Sequence, residues 1–193
     1  MRTIIIPVFA SLVLTVPAHA ATYTLDSSHT YPQFEIHHLS FSTLHGQFNH
    51  TEGKITMDRE KNLGSVEATI DVKSLDTGFA KRDEDLLAAP FFNAAQFPTM
   101  TFKSSRVTYH GKDKATVQGD FTLHGVTRPL TLHVTRISCG VNPIMKKNVC
   151  GFDAWGEIRR SDFGIKTYVP VIPDEVRLVI NSDAVEESPT PTP

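Results

Sequence analysis

Catalytic signatures are missing from this chain of 193 residues. It has no G-x-S-x-G, no H-E-x-x-H, no Walker A loop and no G-x-G-x-x-G after a strand. That removes the usual serine-hydrolase, zinc-peptidase, P-loop and dinucleotide readings. Runs of Lys or Arg are also lacking, and the formal net charge is −2. A basic face for nucleic acid is therefore not expected, nor a polybasic segment for an anionic bilayer. The longest apolar run, Ile4 to Val16, is short and broken by Pro7, so it does not read as a membrane span. Cysteine is scarce: Cys139 and Cys150 are too far apart for a C-x-x-C redox motif, and neither has a histidine beside it to suggest zinc.

The N-terminal run is informative in another way. Arg2, the apolar stretch and Ala18-His19-Ala20 make a secretory signal peptide over residues 1–20, cleaved after Ala20. A mature chain starting at Ala21 has no N-terminal cysteine for a lipid anchor, so an exported protein, free in a bacterial periplasm, is expected. In that oxidising compartment Cys139 and Cys150 should form a disulfide closing a short loop. One domain over residues 21–185 is long enough to bury a core. Residues 186–193, rich in Pro and Thr, read as a disordered tail.

Between these ends the chain alternates apolar and polar residues at period two, the pattern of half-buried strands. Val66, Ala68, Ile70 and Val72 point one way and Glu67, Thr69, Asp71 and Lys73 the other. The same pattern runs through Phe34–His38, Ala115–Leu123, Leu130–Val134, Phe152–Ile158 and Val176–Ile180. Parity changes between Phe48 and Gly53, which predicts a bend near Asn49 to Glu52. Hairpin-length connections make the sheet antiparallel, and one apolar face throughout requires closure or a second sheet. The expected fold is mainly β, an eight-stranded antiparallel barrel, with a sandwich as the alternative.

Asp76 to Phe102 breaks the alternation. Asp76 or Thr77 can serve as an N-cap, a charged run from Lys81 to Asp85 leads into Leu86 and Leu87, and Pro90 ends helical structure. A short helix near residues 77–89 is expected, lying across one end of the barrel with Phe91, Phe92, Phe97 and Phe102 against it. It reads either as a plug or as a flap over a cavity.

The interior set mixes large residues with small ones, among them Ala68, Ala115, Gly119, Ala154 and Gly156. Either phenylalanines with Met57 and Met100 fill the barrel, or a ligand does. Candidate ligand contacts are Phe34, Ile36, His38, Phe48, Met57, Ala68, Ile70, Phe91, Phe92, Phe97, Phe102, Gly119, Phe121, Leu132 and Phe152. Arg82 and Asp83 would stand at the mouth. His29, His37, His38, His45 and His50 cluster in sequence, but alternation sends His37 and His38 to opposite faces, which works against a metal site. Val107, Tyr109, Trp155 and Val179 are the outward apolar positions by parity, thin material for a homodimer interface.

Four stretches, in order and spacing, carry a family resemblance: TYTLDSSHTYPQFEIHHLSFSTLHGQF, SLDTGFAKRDEDLL…PFFNAAQFP…TF, GDFTLHGVTRPLTL and GFDAWGEIRRSDFGIK. Together they resemble the YceI-like family of periplasmic lipid- and polyisoprenoid-binding proteins over essentially the whole mature chain. The resemblance implies a lipocalin-like barrel, often dimeric, that holds a long isoprenoid chain such as a polyprenyl phosphate or a quinone tail. It implies a carrier, with the isoprenoid lipid or quinone as ligand, no cofactor, and transient contact with a membrane. No triad or metal cage is assembled, so an enzyme is not expected; the alternatives are a lipid-modifying hydrolase using Asp83, Asp85 or a histidine, and a structural or redox partner protein with a filled barrel. Asp85 stands where the family usually has His, and Pro90 where it usually has Asp before the paired phenylalanines. The cysteine pair is outside the common pattern.

Overall fold

The computed structural model describes residues 20–188. The expected signal peptide as far as His19, and residues 189–193 of the expected tail, lie outside the described residues. The strands are β1 (Ala21–Leu25), β2 (Tyr31–His38), β3 (Ser42–Phe48), β4 (Thr51–Asp58), β5 (Leu63–Asp71), β6 (Leu75–Asp76), β7 (Thr99–His110), β8 (Lys114–Leu123), β9 (Val126–Val141), β10 (Asn148–Arg159) and β11 (Glu175–Glu186). One helix, α1, spans Ala80–Leu87.

All pairings are antiparallel, and contact between β1 and β11 closes the sheet. Several segments are halves of one bent strand. β11 pairs with β1 through Leu25↔Ala184 and with β2 through Asn181↔Tyr31, so β1 and β2 are one strand broken at Ser27–His29. β3 and β4 part at Asn49 and His50, where the parity change predicted a bend, and Val72–Ser74 separates β5 from β6. Joined this way the segments form a closed eight-stranded up-and-down barrel. Closure leaves no long unpaired edge around the ring.

Three boundaries differ from the sequence reading. The helix begins later, with Phe79 as its N-cap and no side-chain cap. Gly78, at φ +75°, turns the chain after Asp76, whose Oδ1 accepts its N–H, so neither Asp76 nor Thr77 caps the helix. Asp83 instead reaches back to accept from the Thr77 backbone N–H and hydroxyl. In β7 the register shifts between Ser104 and Arg106, and the extra residue reverses the parity beyond it. Val107 therefore packs against the core, and the Tyr109 hydroxyl comes up to Gly64, which removes both from the outer surface. At the C-terminus, Glu186 pairs with Tyr23, and Glu187 bonds the Thr22 carbonyl and Lys54, so the ordered domain extends past residue 185.

Two buried clusters hold the barrel. The larger gathers Phe48, Ile70, Val72, Met100, Phe102, Phe121, Leu123 and Phe163. The smaller, Tyr23, Ile55, Met57, Cys150 and Ala184, closes the far end with Phe152 packed against it. The Cys139–Cys150 disulfide is present and joins residues directly opposite on β9 and β10. Replacing both cysteines by alanine is expected to cost about 2–3 kcal/mol in the chain-entropy picture. A urea titration with and without reductant would measure it, and identical midpoints would show the hairpin needs no staple.

Gly119 serves packing. A Cβ there would meet the Lys103 carbonyl oxygen at 2.5 Å and Ser104 Cα at 2.8 Å, both backbone. Gly119→Ala is expected to destabilise by about 1–3 kcal/mol, the cost of overpacking, measured by chemical denaturation.

Candidate functional site

The barrel is hollow. A cavity of about 770 Å³ lies inside it, within the range of roughly 300–1,000 Å³ found for small-molecule sites. Its wall comes from the inward positions of most strands, and its cover from α1 and the segment after it. Period-two alternation puts Phe34, Ile36 and His38 of β2, Ala68 and Ile70 of β5, and Leu178 and Ile180 of β11 on that wall. Leu86, Phe91 and Phe92 close it from the lid.

The lid is anchored by aromatic packing. Phe92 meets Phe48 edge-on at 5.6 Å and Phe34 at 6.3 Å, and Phe34 lies 6.0 Å from Phe48. Such edge-on pairs are favoured by the ring quadrupole. The Arg82 guanidinium donates to the Thr77 hydroxyl at 2.8 Å and its carbonyl at 2.6 Å while lying 5.8 Å from the Phe79 ring centroid, which ties the helix start to the wall. At the other end the Phe97 ring lies tilted against His124, centroids 4.6 Å apart, and His124 Nδ1 faces the Phe163 carbonyl at 3.1 Å.

A second tie comes from Arg160, which is buried. Its guanidinium donates to the carbonyls of Pro173 (3.0 Å), Ile165 (3.3 Å), Thr167 (2.8 Å) and Ile172 (2.9 Å). Burial pushes its pKa down from the ordinary guanidinium value, opposed by the charge of Asp174. Thr167 in turn donates to the Pro90 carbonyl of the lid. For Asp174, burial works against ionisation, but Ser161 Oγ–H, the Ser161 N–H and the Arg159 guanidinium outweigh it and leave the carboxyl below its usual range.

Of the candidate contacts named from the sequence, Phe34, Ile36, His38, Phe48, Ala68, Ile70, Arg82, Phe91, Phe92, Phe102, Phe121 and Leu132 line the cavity. Five do not. Met57 and Phe152 belong to the closed end, below the cavity. Gly119, on β8, is buried against the backbone of β7. Phe97 turns outward onto His124, and Asp83 is taken up by Thr77. Asp85 and Pro90 both lie at the cavity, with Asp85 3.2 Å from Lys81 Nζ. Sequence reasoning missed Arg160, Thr30, Thr51, Tyr168 and Ile165. Arg160 and Ile165 lie in the family-like stretch GFDAWGEIRRSDFGIK and Thr30 in TYTLDSSHTYPQFEIHHLSFSTLHGQF, which was the signal open to sequence reasoning. Among the described residues no three His, Cys, Asp or Glu side chains converge to hold a metal.

The arrangement can enclose a long apolar molecule and offers few polar contacts, most of them near the lid. A YceI-like domain matches residues 23–184. "Protein YceI" of Escherichia coli O157:H7 is 40% identical over 184 residues, covering 93% of this chain and 95% of that protein. The crystal structure of Burkholderia cenocepacia BcnA superposes with a TM-score of 0.72 at 24% identity, over 82% of this chain and 98% of that one. A polyisoprenoid binding domain from Saccharophagus degradans gives 0.62 at 18% identity, over 88% of this chain and 100% of that one. At those identities both structures speak to the fold. With the matched span covering nearly the whole barrel and 40% identity to curated relatives, the chain belongs to the YceI-like domain family.

Proposed function

We propose that the protein is an exported, periplasmic carrier that holds one long-chain isoprenoid lipid, a polyprenyl phosphate or a quinone, without reacting with it. The cavity carries this reading: about 770 Å³ of mostly apolar interior beneath a lid whose underside is leucine and phenylalanine. A chain drawn into it gains about 0.8 kcal/mol per buried methylene, against the cost of association. A barrel of this fold named for binding polyisoprenoid supports the same class of ligand.

The test is native mass spectrometry of protein purified from its own periplasm, followed by organic extraction and reconstitution. A copurified species that extracts as an isoprenoid is the expected result. A bare chain starting at Ala21 that also takes up no isoprenoid in vitro would overturn the reading.

A further inference from the structure

The large apolar side chains left exposed among the described residues sit on or beside the connections at the two ends of the barrel. Leu39, Phe41, Phe79, Tyr168 and Val171 belong to the lid end. The turn between β2 and β3 carries Leu39 and Phe41. β11 pairs with β2 through Arg177↔Glu35, so the β10–β11 connection, with Tyr168 and Val171, leaves the barrel beside that turn. β6 pairs with β3 through Gln47↔Asp76 and runs towards Ser42, so Phe79 and α1 leave by the same end.

These side chains are held outward by ordered loops. Phe41 is 87% exposed, Val171 66%, Tyr168 64% and Phe79 58%. Leu39 at φ +52° and Tyr168 at φ +62° adopt the left-handed region, which bulky residues rarely enter. Backbone bonds fix both loops: Phe41 N–H donates to the His38 carbonyl at 2.9 Å, Val169 N–H to Lys166 at 3.0 Å and Ile172 N–H to Tyr168 at 2.8 Å. The rim is also continuous with the interior. The Tyr168 ring lies 6.2 Å from Phe91, and Pro90, Phe91, Tyr168 and Ile172 all line the cavity. An apolar surface thus runs from the barrel wall out onto the loop tips.

Charge at this end is mixed. The two connections that carry Phe79, Tyr168 and Val171 hold Lys81, Arg82, Arg160 and Lys166 against Asp83, Glu84, Asp85, Asp162 and Asp174. Arg160 is buried, and Lys81 is paired with Glu84 and Asp85. The turn between His38 and Ser42 has no ionisable side chain of its own, and His37, His38 and His45 stand beside it. Both signs so close together match a zwitterionic headgroup layer and give no net attraction to an anionic one. A protein partner needs about 800 Å² of closely packed contact on each side. Apolar tips on three separate connections, with Lys81, Glu84 and Asp85 exposed at the same end, do not make such a patch. A fluid headgroup layer adapts to separate tips and leaves the charged helix hydrated.

We propose that this rim docks on a zwitterionic phospholipid bilayer, with Phe41, Phe79, Tyr168 and Val171 entering the headgroup layer, and that lipid passes between membrane and cavity through the contact. The docking stands on the exposed tips; the passage of lipid rests on the carrier reading above. A tail crossing water would expose every methylene on the way, a barrier that grows with chain length. Contact of the rim with the membrane removes that stage. The opposite end supplies an internal control. Ile144 is the most exposed of these apolar side chains, at 89%, and stands there beside Lys146 and Lys147.

The probes are phosphatidylcholine vesicles, the same vesicles doped with phosphatidylglycerol, and an isoprenoid alcohol with a fluorescent label. Flotation with phosphatidylcholine vesicles measures docking without any cargo. The double variant Phe41→Ser, Val171→Ser is expected to lose at least about tenfold in vesicle partitioning, with an unchanged melting temperature because both side chains are exposed. Ile144→Ser should partition as the wild type does, and salt or phosphatidylglycerol should change wild-type partitioning by less than about twofold. Delivery of the labelled alcohol to vesicles should speed up in proportion to vesicle concentration, and the double variant should slow it while uptake from detergent stays the same. Should the double variant fail to fold, Phe41→Ser alone carries the comparison. Equal loss on Ile144→Ser, dependence on phosphatidylglycerol, or a wild type that does not float would overturn the docking rim and leave the carrier function standing. So would a dimer that Phe41→Ser dissolves in the absence of vesicles, which would assign the rim to a second copy. A wild type that floats but takes up no labelled alcohol from detergent would overturn the carrier function and with it the passage of lipid.

Discussion

Replacing Arg160 with methionine is expected to lower the unfolding free energy by about 3–5 kcal/mol, the cost of dismantling a buried charge network. Methionine fills much of the space of the arginine stem but leaves the carbonyls of Ile165, Thr167, Ile172 and Pro173 without their donor. Those carbonyls belong to one loop, and a loop this close to the interior cannot satisfy them all with water. The urea midpoint at constant slope measures the loss. The effect should reach the ligand as well, because Thr167 holds the lid through Pro90, and Tyr168 and Ile172 line the cavity. Faster lipid release should therefore accompany the loss of stability. Arg160→Lys should recover only part of both, since an ammonium is a single point donor and cannot span four separated acceptors. A loss under about 1 kcal/mol, the worth of one ordinary hydrogen bond, would mean that Phe163, Ile165 and the Asp174–Ser161 contacts hold the loop unaided.

The second large effect is expected at Ala68. Its methyl group faces the cavity from β5, with Gly53 and Phe102 opposite it on the flanking strands. Ala68→Phe adds a phenyl ring where an isoprenoid chain would run. Uptake of an isoprenoid lipid should fall at least about a hundredfold, which corresponds to about 2.7 kcal/mol of binding free energy. Folding stability should stay within about 1.5 kcal/mol of the wild type, because the added volume enters existing space and displaces no backbone. Equilibrium binding and thermal unfolding of the same preparation separate the two effects. Gly119 offers no such separation, since even a methyl group there collides with the backbone of β7. A variant at Ala68 that folds and binds lipid as the wild type does would place the ligand outside the barrel.

Alternation along β2, β5, β8 and β11 was enough to sort wall residues from surface residues, because successive side chains of a strand point to opposite faces. It failed wherever the backbone stopped being regular. The bulge after Ser104 sent Val107 and Tyr109 inward although counting from Phe102 placed them outside. Gly78 delayed the helix, and its positive φ mattered more than the capping preference of Asp76 or Thr77. Phe97 was grouped with Phe91 and Phe92 as another aromatic of the same stretch. Turns after Ala88 carry it to His124 instead.

Legible from the chain alone is the class of object: alternating strands, a long break at Asp76–Phe102, a cysteine pair that closes a hairpin, and four stretches of family-like residues. Each of these is a local pattern, readable within a few positions. Whether the barrel was filled or hollow was left open, because the same small and aromatic residues serve either case. Only closure decided it. When β1 meets β11, the barrel's width is fixed by strand number and tilt, and the side chains present do not fill it. The meeting of Thr167 with Pro90 of the lid, and of Thr30, Thr51 and Ser182 on the cavity wall, likewise depends on residues far apart in the chain. Their chemistry comes from the desolvation they share once folded, and no single strand carries it alone.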